Sequence, residues 1–128
     1  MILKPNMVLP GLNCPKQETL HEVAAATVAS LLRVVPASVP GIAFLSGGQA
    51  SELASARLNA MNVIARSASS PLPWPLAFSF ARAIQQSALE IWRGQHDRVP
   101  AAQHALAHRA HCNKAALQGE YSAAIERT

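Results

Sequence analysis

The sequence predicts an α/β fold built on a parallel sheet, and three observations carry that prediction. Three short apolar runs, residues 1–9, 41–46 and 75–80, are each followed by a longer segment of helical period. Proline-rich stretches at 35–40 and 69–75 separate each helical segment from the next run. The strand-then-helix unit recurs about every 35 to 40 residues, the pattern of β/α repeats whose strands lie parallel.

The elements follow in order. Residues 1–9 read as a first buried strand. The segment after it carries Leu20, Val23, Thr27, Leu31 and Val34 on one stripe, and Thr19 with Glu22 fits a capping box, so a helix of about four turns is expected. Residues 41–46 form the second strand, followed by a helix with Ala54, Leu58, Met61 and Ala65 on one face. Residues 75–80 form the third strand, followed by a helix with Ile84, Ala88 and Ile91. An alanine-rich helix over 100–117, with Pro100 near its first turn and an apolar stripe of Ala102, Leu106, Ala110 and Leu117, closes the chain. Trp74 and Trp92 read as core or inter-element packing. Three strands leave two unpaired edges, and parallel strands need both faces covered, so the sheet is expected to belong to a larger one. A first strand that begins at residue 1, with no element before it, suggests truncation.

Composition narrows the class. At 128 residues the chain has the length of one domain, not two. Half its residues are hydrophobic and 14% are charged, which excludes disorder and leaves a surface poor in charge for a soluble domain. The net charge of +4 is spread along the length without a run of like charges, so no nucleic-acid partner is expected. Cys14 and Cys112 form no disulfide framework, which favours a reducing, cytoplasmic setting. The first residues lack a secretory pattern, and the longest uncharged run is broken by Pro36, Pro40, Gly41, Gly47 and Gly48, so no membrane association is expected.

Chemistry-bearing residues cluster at the predicted strand ends. Lys4 interrupts an apolar strand. Burial lowers a lysine's pKa and frees a neutral amine able to form a Schiff base with a carbonyl. The alternative is an edge lysine whose stem lies on the strand while its ammonium reaches water. Ser46, Gly47 and Gly48 stand where a strand gives way to a helix. Glycines there let backbone N–H groups approach an anion, although such triplets also serve as simple tight turns. Arg82 occupies the same place in the next unit, where an arginine clamps an anion at some cost to the helix dipole, and Ser79 adds a hydroxyl. Two consecutive units with anion ligands at strand ends match the phosphate site of (β/α)8 barrels. His104, His108 and His111, beside Cys112, have a spacing compatible with a metal. The apolar stripe lies on the other side and no acid stands nearby, so they read as a solvated face.

Leu3-Lys-Pro-Asn-Met-Val8, Gly41-Ile-Ala-Phe-Leu-Ser-Gly-Gly-Gln49, Leu58-Asn-Ala-Met-Asn62 and Pro73-Trp-Pro-Leu-Ala-Phe-Ser-Phe-Ala-Arg-Ala83 together resemble class I fructose-bisphosphate aldolases. The resemblance runs over residues 1–121, corresponding to the C-terminal third or so of that family's barrel from its sixth strand onward, with 122–128 as a tail. It implies a partial (β/α)8 TIM barrel and a glycolytic lyase that needs no metal or other cofactor. By it, Lys4 corresponds to the Schiff-base lysine, and Ser46, Gly47, Gly48, Ser79 and Arg82 to the ligands of one phosphate of the sugar-phosphate substrate. The complete parent, expected to be a homo-oligomer, cleaves fructose 1,6-bisphosphate to dihydroxyacetone phosphate and glyceraldehyde 3-phosphate. The family's acid–base Glu, Lys and Asp come from earlier strands, so this chain alone is expected to be inactive. It is alternatively a non-catalytic truncated chain that self-associates or docks on other barrel segments. Two departures stand out. Phe80-Ala81 replaces the usual Tyr-Gly, a cost if that backbone needs positive φ. The chain also stops soon after Tyr121 without the long tail of animal relatives, which fits a shortened, bacterial-type terminus.

Overall fold

The computed structural model describes residues 1–128. In order come α1 (Leu20–Val34), β1 (Ile42–Phe44), α2 (Ser51–Ser67), β2 (Leu76–Phe78), α3 (Arg82–Trp92), a 3-10 turn at His96–Arg98, α4 (Val99–Leu117) and α5 (Ala123–Glu126). β1 and β2 are parallel, with Ile42 opposite Leu76 and Phe44 opposite Phe78.

The first apolar run is not the strand that was expected. It lies beside β1 but pairs through a single parallel bridge, Leu3 to Ile42. The Leu3 N–H donates to Gly41 O (3.1 Å), the Ala43 N–H to Leu3 O (2.8 Å) and the Leu45 N–H to Pro5 O (3.0 Å). The next rung of a parallel ladder would run from the residue 5 N–H to Ala43 O, and proline has no N–H. The run therefore follows the sheet without completing its ladder.

Strand alternation then sorts the side chains. Leu3, Ile42 and Leu76 share the face that packs on the helices, and Ile42, Phe44 and Leu76 join Val23, Val28, Leu58, Met61, Trp74 and Ala116 in one core. Lys4, Ala43 and Ala77 fall on the other face. Ala43 and Ala77 keep partial solvent contact there despite their size, and Lys4 is exposed. The accessible surface, 7742 Å² for 13.6 kDa, exceeds the roughly 6,600 Å² of a compact monomer of that mass. The first observation describes a sheet covered on one side only, and the second a chain less compact than a monomer of its mass.

The helices form for local reasons. Thr19 caps α1 through the expected box: its hydroxyl oxygen accepts the Glu22 N–H (3.2 Å) while the Glu22 carboxylate accepts the Thr19 N–H (2.9 Å). The buried stripe of α1 is Val23, Ala24, Thr27, Val28 and Leu31, with Leu20 and Val34 left exposed at its ends. The predicted stripe of α2 holds at Ala54, Leu58 and Met61, all fully buried. Asn62 joins three elements, its Nδ2 donating to the carbonyls of Leu58, Ala116 (both 3.2 Å) and Leu76 (3.5 Å).

α4 corrects the expectation of an apolar stripe. Leu106 and Ala110 are exposed, and the buried face carries Ala102, Arg109, Cys112, Asn113, Ala115 and Ala116. Polar residues are at home there because α2 presents polar partners: Ser55 Oγ donates to Asn113 Oδ1 (2.6 Å), and Arg109 Nη1 donates to Ser55 Oγ (3.4 Å). Trp74 is buried, its indole donating to Pro36 O (3.2 Å). Trp92, by contrast, is 43% exposed and only edges a groove between α3 and α4. No helix is long and apolar enough to cross a membrane.

Candidate functional site

The turn after β1 is built for glycine. The Gln49 N–H donates to Ser46 O (3.1 Å), and both central residues have positive φ, 61° at Gly47 and 80° at Gly48, the left-handed region that side chains disfavour. A Cβ on Gly47 would stand 2.5 Å from Asn6 Oδ1, an atom already accepting the Met7 N–H at 2.9 Å. The run that bears Lys4 thus touches this turn through Asn6.

Two helices begin beside the turn. α2 starts at Ser51 behind Ala50, and α3 at Arg82 behind Ala81; neither N-terminus has a side-chain cap. Their first-turn N–H groups lack intrahelical partners and carry the positive end of each helix dipole. Between them lies a cavity of about 270 Å³ lined by Ser46, Gly48, Gln49, Ser51, Arg82 and Gln86 among others. Ser46 is 8% exposed and Arg82 is exposed. A positively charged side chain, a hydroxyl and two dipole ends therefore converge on one small space.

The other candidates sit apart from the cavity lining. Ser79 is half-buried and is held through its backbone, its N–H donating to Phe44 O at 2.7 Å. Lys4 is exposed on the open sheet face and forms no ion pair, so its neighbours do not enclose it as the apolar run suggested. Ala81 has φ −106°, so the replacement of glycine there carries no left-handed strain.

Two residues around the turn were not anticipated. Gln49 Nε2 donates to Ser46 O (2.8 Å) and contacts Met7 Sδ (3.5 Å), while its Oε1 accepts from Arg57 Nη1 (2.8 Å). Arg57 is 5% exposed; burial pulls its guanidinium below the ordinary value, and its Nε has no partner. A signal for it existed in the sequence. Position 57 is three beyond Ala54 and four before Met61, so a charge stands on the apolar stripe of α2.

A second polar cluster lies on the far side of α2. Glu126 of α5 pairs with buried Arg109 and accepts the Tyr121 hydroxyl (2.6 Å), while its backbone oxygen lies 3.2 Å from His108 Nε2. Burial pushes the Glu126 carboxyl up, but its bonds to Tyr121 and Arg109 outweigh this and leave it below the ordinary value. Burial, then the bond to Glu126, raises the Tyr121 phenol well above its usual range, and burial raises the Cys112 thiol. The expectation that no acid stands near the histidines is thereby corrected: the acid comes from α5, a helix the sequence reading did not place. His104 and His111 are exposed, and the structure does not bring them to His108.

Parallel strands joined through helices put the chain in the α/β class, in which the C-terminal ends of the strands are the usual ligand-binding rim. Within that class the family is clear. The family described as "Glycolytic: Fructose-bisphosphate aldolase class-I" matches residues 1–128, and the chain belongs to it. Fructose-bisphosphate aldolase B of Gallus gallus is 53% identical over 120 residues, covering 94% of this chain and 32% of the relative. Fructose-bisphosphate aldolase C of Homo sapiens is 50% identical over 125 residues, covering 98% of this chain and 33% of the relative. Among solved structures, the aldolase of Plasmodium falciparum, in complex with TRAP and a small-molecule inhibitor, superposes with a TM-score of 0.87 at 43% identity. It covers 94% of this chain and 33% of that one. The chain spans about a third of the length of these relatives.

Proposed function

We propose that this chain supplies the carbonyl-capturing lysine and one phosphate-binding rim of a fructose 1,6-bisphosphate aldolase, as the C-terminal part of a (β/α)8 barrel. Residues 1–121 form the barrel segment and 122–128 its tail. The cavity between the two uncapped helix N-termini carries this reading. Ser46, the Gly47–Gly48 turn and Arg82 receive a phosphate there, and Ser79, outside the cavity lining at the end of the neighbouring strand, joins them once the substrate is seated, since free N–H groups, a hydroxyl and a guanidinium are what a phosphate dianion needs. Lys4, on the open face of the same sheet, attacks the ketone; loss of water gives an iminium that withdraws electrons as the C3–C4 bond breaks. Glyceraldehyde 3-phosphate leaves first. Protonation and hydrolysis then release dihydroxyacetone phosphate and restore the amine.

The chain alone is inactive in this reading. None of the seven acids lies on β1 or β2, so no carboxylate stands beside Lys4 to move the protons these steps require. A cytoplasmic setting and homo-oligomeric assembly of the longer protein are part of the proposal, the former supported by two unbridged cysteines. The test is borohydride reduction in the presence of dihydroxyacetone phosphate, read by peptide mass. Lys4 stays unmodified in the isolated chain and is reductively alkylated when the chain is fused behind the first two thirds of a relative. A fused, folded protein whose Lys4 remains unmodified overturns the reading.

A second reading is favoured by the half-covered sheet: a non-catalytic chain that self-associates or docks on other barrel segments. Size-exclusion chromatography separates the two. A dimer or larger species that persists on dilution and binds a hydrophobic dye supports docking, whereas a dye-free monomer refutes it.

A further inference from the structure

We propose that His108, Cys112 and Glu126 form a binding site for Zn²⁺ that fastens the C-terminal helix α5 to α4. His108 and Cys112 stand four residues apart on α4, which sets their side chains on one face. The third donor arrives from α5. One ligand atom from each of the three lies within 4.8 Å of the other two.

The geometry is close to that of a bound ion. The Cys112 Sγ to His108 Nε2 separation is 3.6 Å. A tetrahedral centre with Zn–S and Zn–N distances of ordinary length has an S···N edge of about 3.6 Å. Two of the ligands are thus already at their final spacing, and the carboxylate has to move in by only about 1 Å. It is carried by a separate four-residue helix, α5, whose approach to α4 sets that distance.

The donor set selects the metal. One sulfur, one imidazole nitrogen and one carboxylate suit zinc, whereas calcium and magnesium take oxygen ligands. Glu126 also pairs with Arg109 and accepts the Tyr121 hydroxyl. A carboxylate has about four lone-pair positions, so these two bonds leave room for an ion, and Arg109 orients the ligand as an outer partner. His108 Nε2 gives up its contact with Glu126 O and offers a lone pair. Binding exchanges the thiol proton for the metal, one proton passing to solvent as the S–Zn bond forms; the thiolate and carboxylate offset the dication, and the Arg109 cation leaves the cluster with one net positive charge. Water completes the fourth position. None of these residues belongs to the cavity at the strand ends, so the site stands apart from the aldolase reading.

The experiment is titration of the whole chain with Co²⁺ and then Zn²⁺, in a Cys14→Ser background because Cys14 is an exposed thiol. A thiolate-to-cobalt charge-transfer band that saturates at one ion per chain and is displaced by Zn²⁺ is expected. His108→Asn and Glu126→Gln each weaken binding at least tenfold or so. Cys112→Ser removes the band. Since Cys112 is fully buried, His108→Asn, at a half-exposed position and checked for native circular dichroism, is the decisive variant. The His104→Asn/His111→Asn double variant binds unchanged. Absence of the band at saturating Co²⁺, an undiminished Co²⁺ affinity in His108→Asn, or loss of the band in the His104→Asn/His111→Asn variant overturns the proposal.

Discussion

Replacing Gly47 by alanine tests the turn after β1 more sharply than any other single change. Two separate penalties act on it. The backbone sits at φ 61°, where an L side chain costs roughly 1–2 kcal/mol. The new Cβ would also lie 2.5 Å from Asn6 Oδ1, so Asn6 has to move and its bond to the Met7 N–H is lost, a further 0.5–1.5 kcal/mol or so. Gly47→Ala should therefore destabilise the chain by about 1.5–3.5 kcal/mol. Gly48→Ala has the same strain, at φ 80°, but nothing within 4 Å of its Cβ, so it should cost only about 1–2 kcal/mol. Gly11→Ala, without positive φ and in open space, should leave stability unchanged or slightly raised. Urea denaturation of the three variants, read as midpoint shifts at constant slope, ranks them. Equal losses for Gly47→Ala and Gly48→Ala would refute the close approach of Asn6, and no loss relative to Gly11→Ala would refute the left-handed turn itself.

Other perturbations reach different parts of the molecule. Pro5→Val supplies the missing N–H opposite Ala43 O, so the residue 5 amide should be protected from hydrogen exchange; rapid exchange there would show that the rung is missing for another reason. Arg109→Met leaves the Glu126 carboxylate half-buried without its cation and should cost about 2–3 kcal/mol, reduced from the fully buried case by the exposure of Glu126; adding Glu126→Gln should recover part of it in a double-mutant cycle. The Glu22 carboxyl is held below its ordinary value of 4.5 chiefly by the Thr19 backbone N–H. The cap's contribution is therefore present above the unfolded value and is lost as pH falls through the depressed folded one. Amide exchange at the start of α1 should accelerate over that acid range in the natural chain and be independent of pH there in Glu22→Gln, after correction for the intrinsic exchange rate.

Much of this was legible in the sequence because the signals were local. The Thr19–Glu22 box, the stripe on α2, the proline punctuation and the Gly47–Gly48 turn each depend on residues within a few positions of one another, and each is found in the structure. What escaped the reading depended on distant partners. The run at residues 1–9 has the composition of a strand, but one missing N–H at Pro5 limits its pairing. α4 looks apolar on the wrong side because Asn113 is buried against Ser55, and Arg109 against Ser55 and Glu126, partners distant in sequence. Glu126 meets His108 because a four-residue helix folds back, and so short a helix leaves no periodic trace. Lys4 stood out as a charge inside an apolar run, and Ser46 and Arg82 as polar groups at or just past strand ends; their roles belong to the proposed function. Of the two residues that brace the turn from behind, Arg57 left a trace as a charge standing on an apolar stripe, and Gln49 left none.

The space between the first turns of α2 and α3 is bordered by two successive units, and α3 leans on α4 more than on α2. A dianion seated there would act as a rivet across that seam. If the proposed function holds, seating that charge would also stiffen the seam between the two units, so that grip and alignment become one mechanical event.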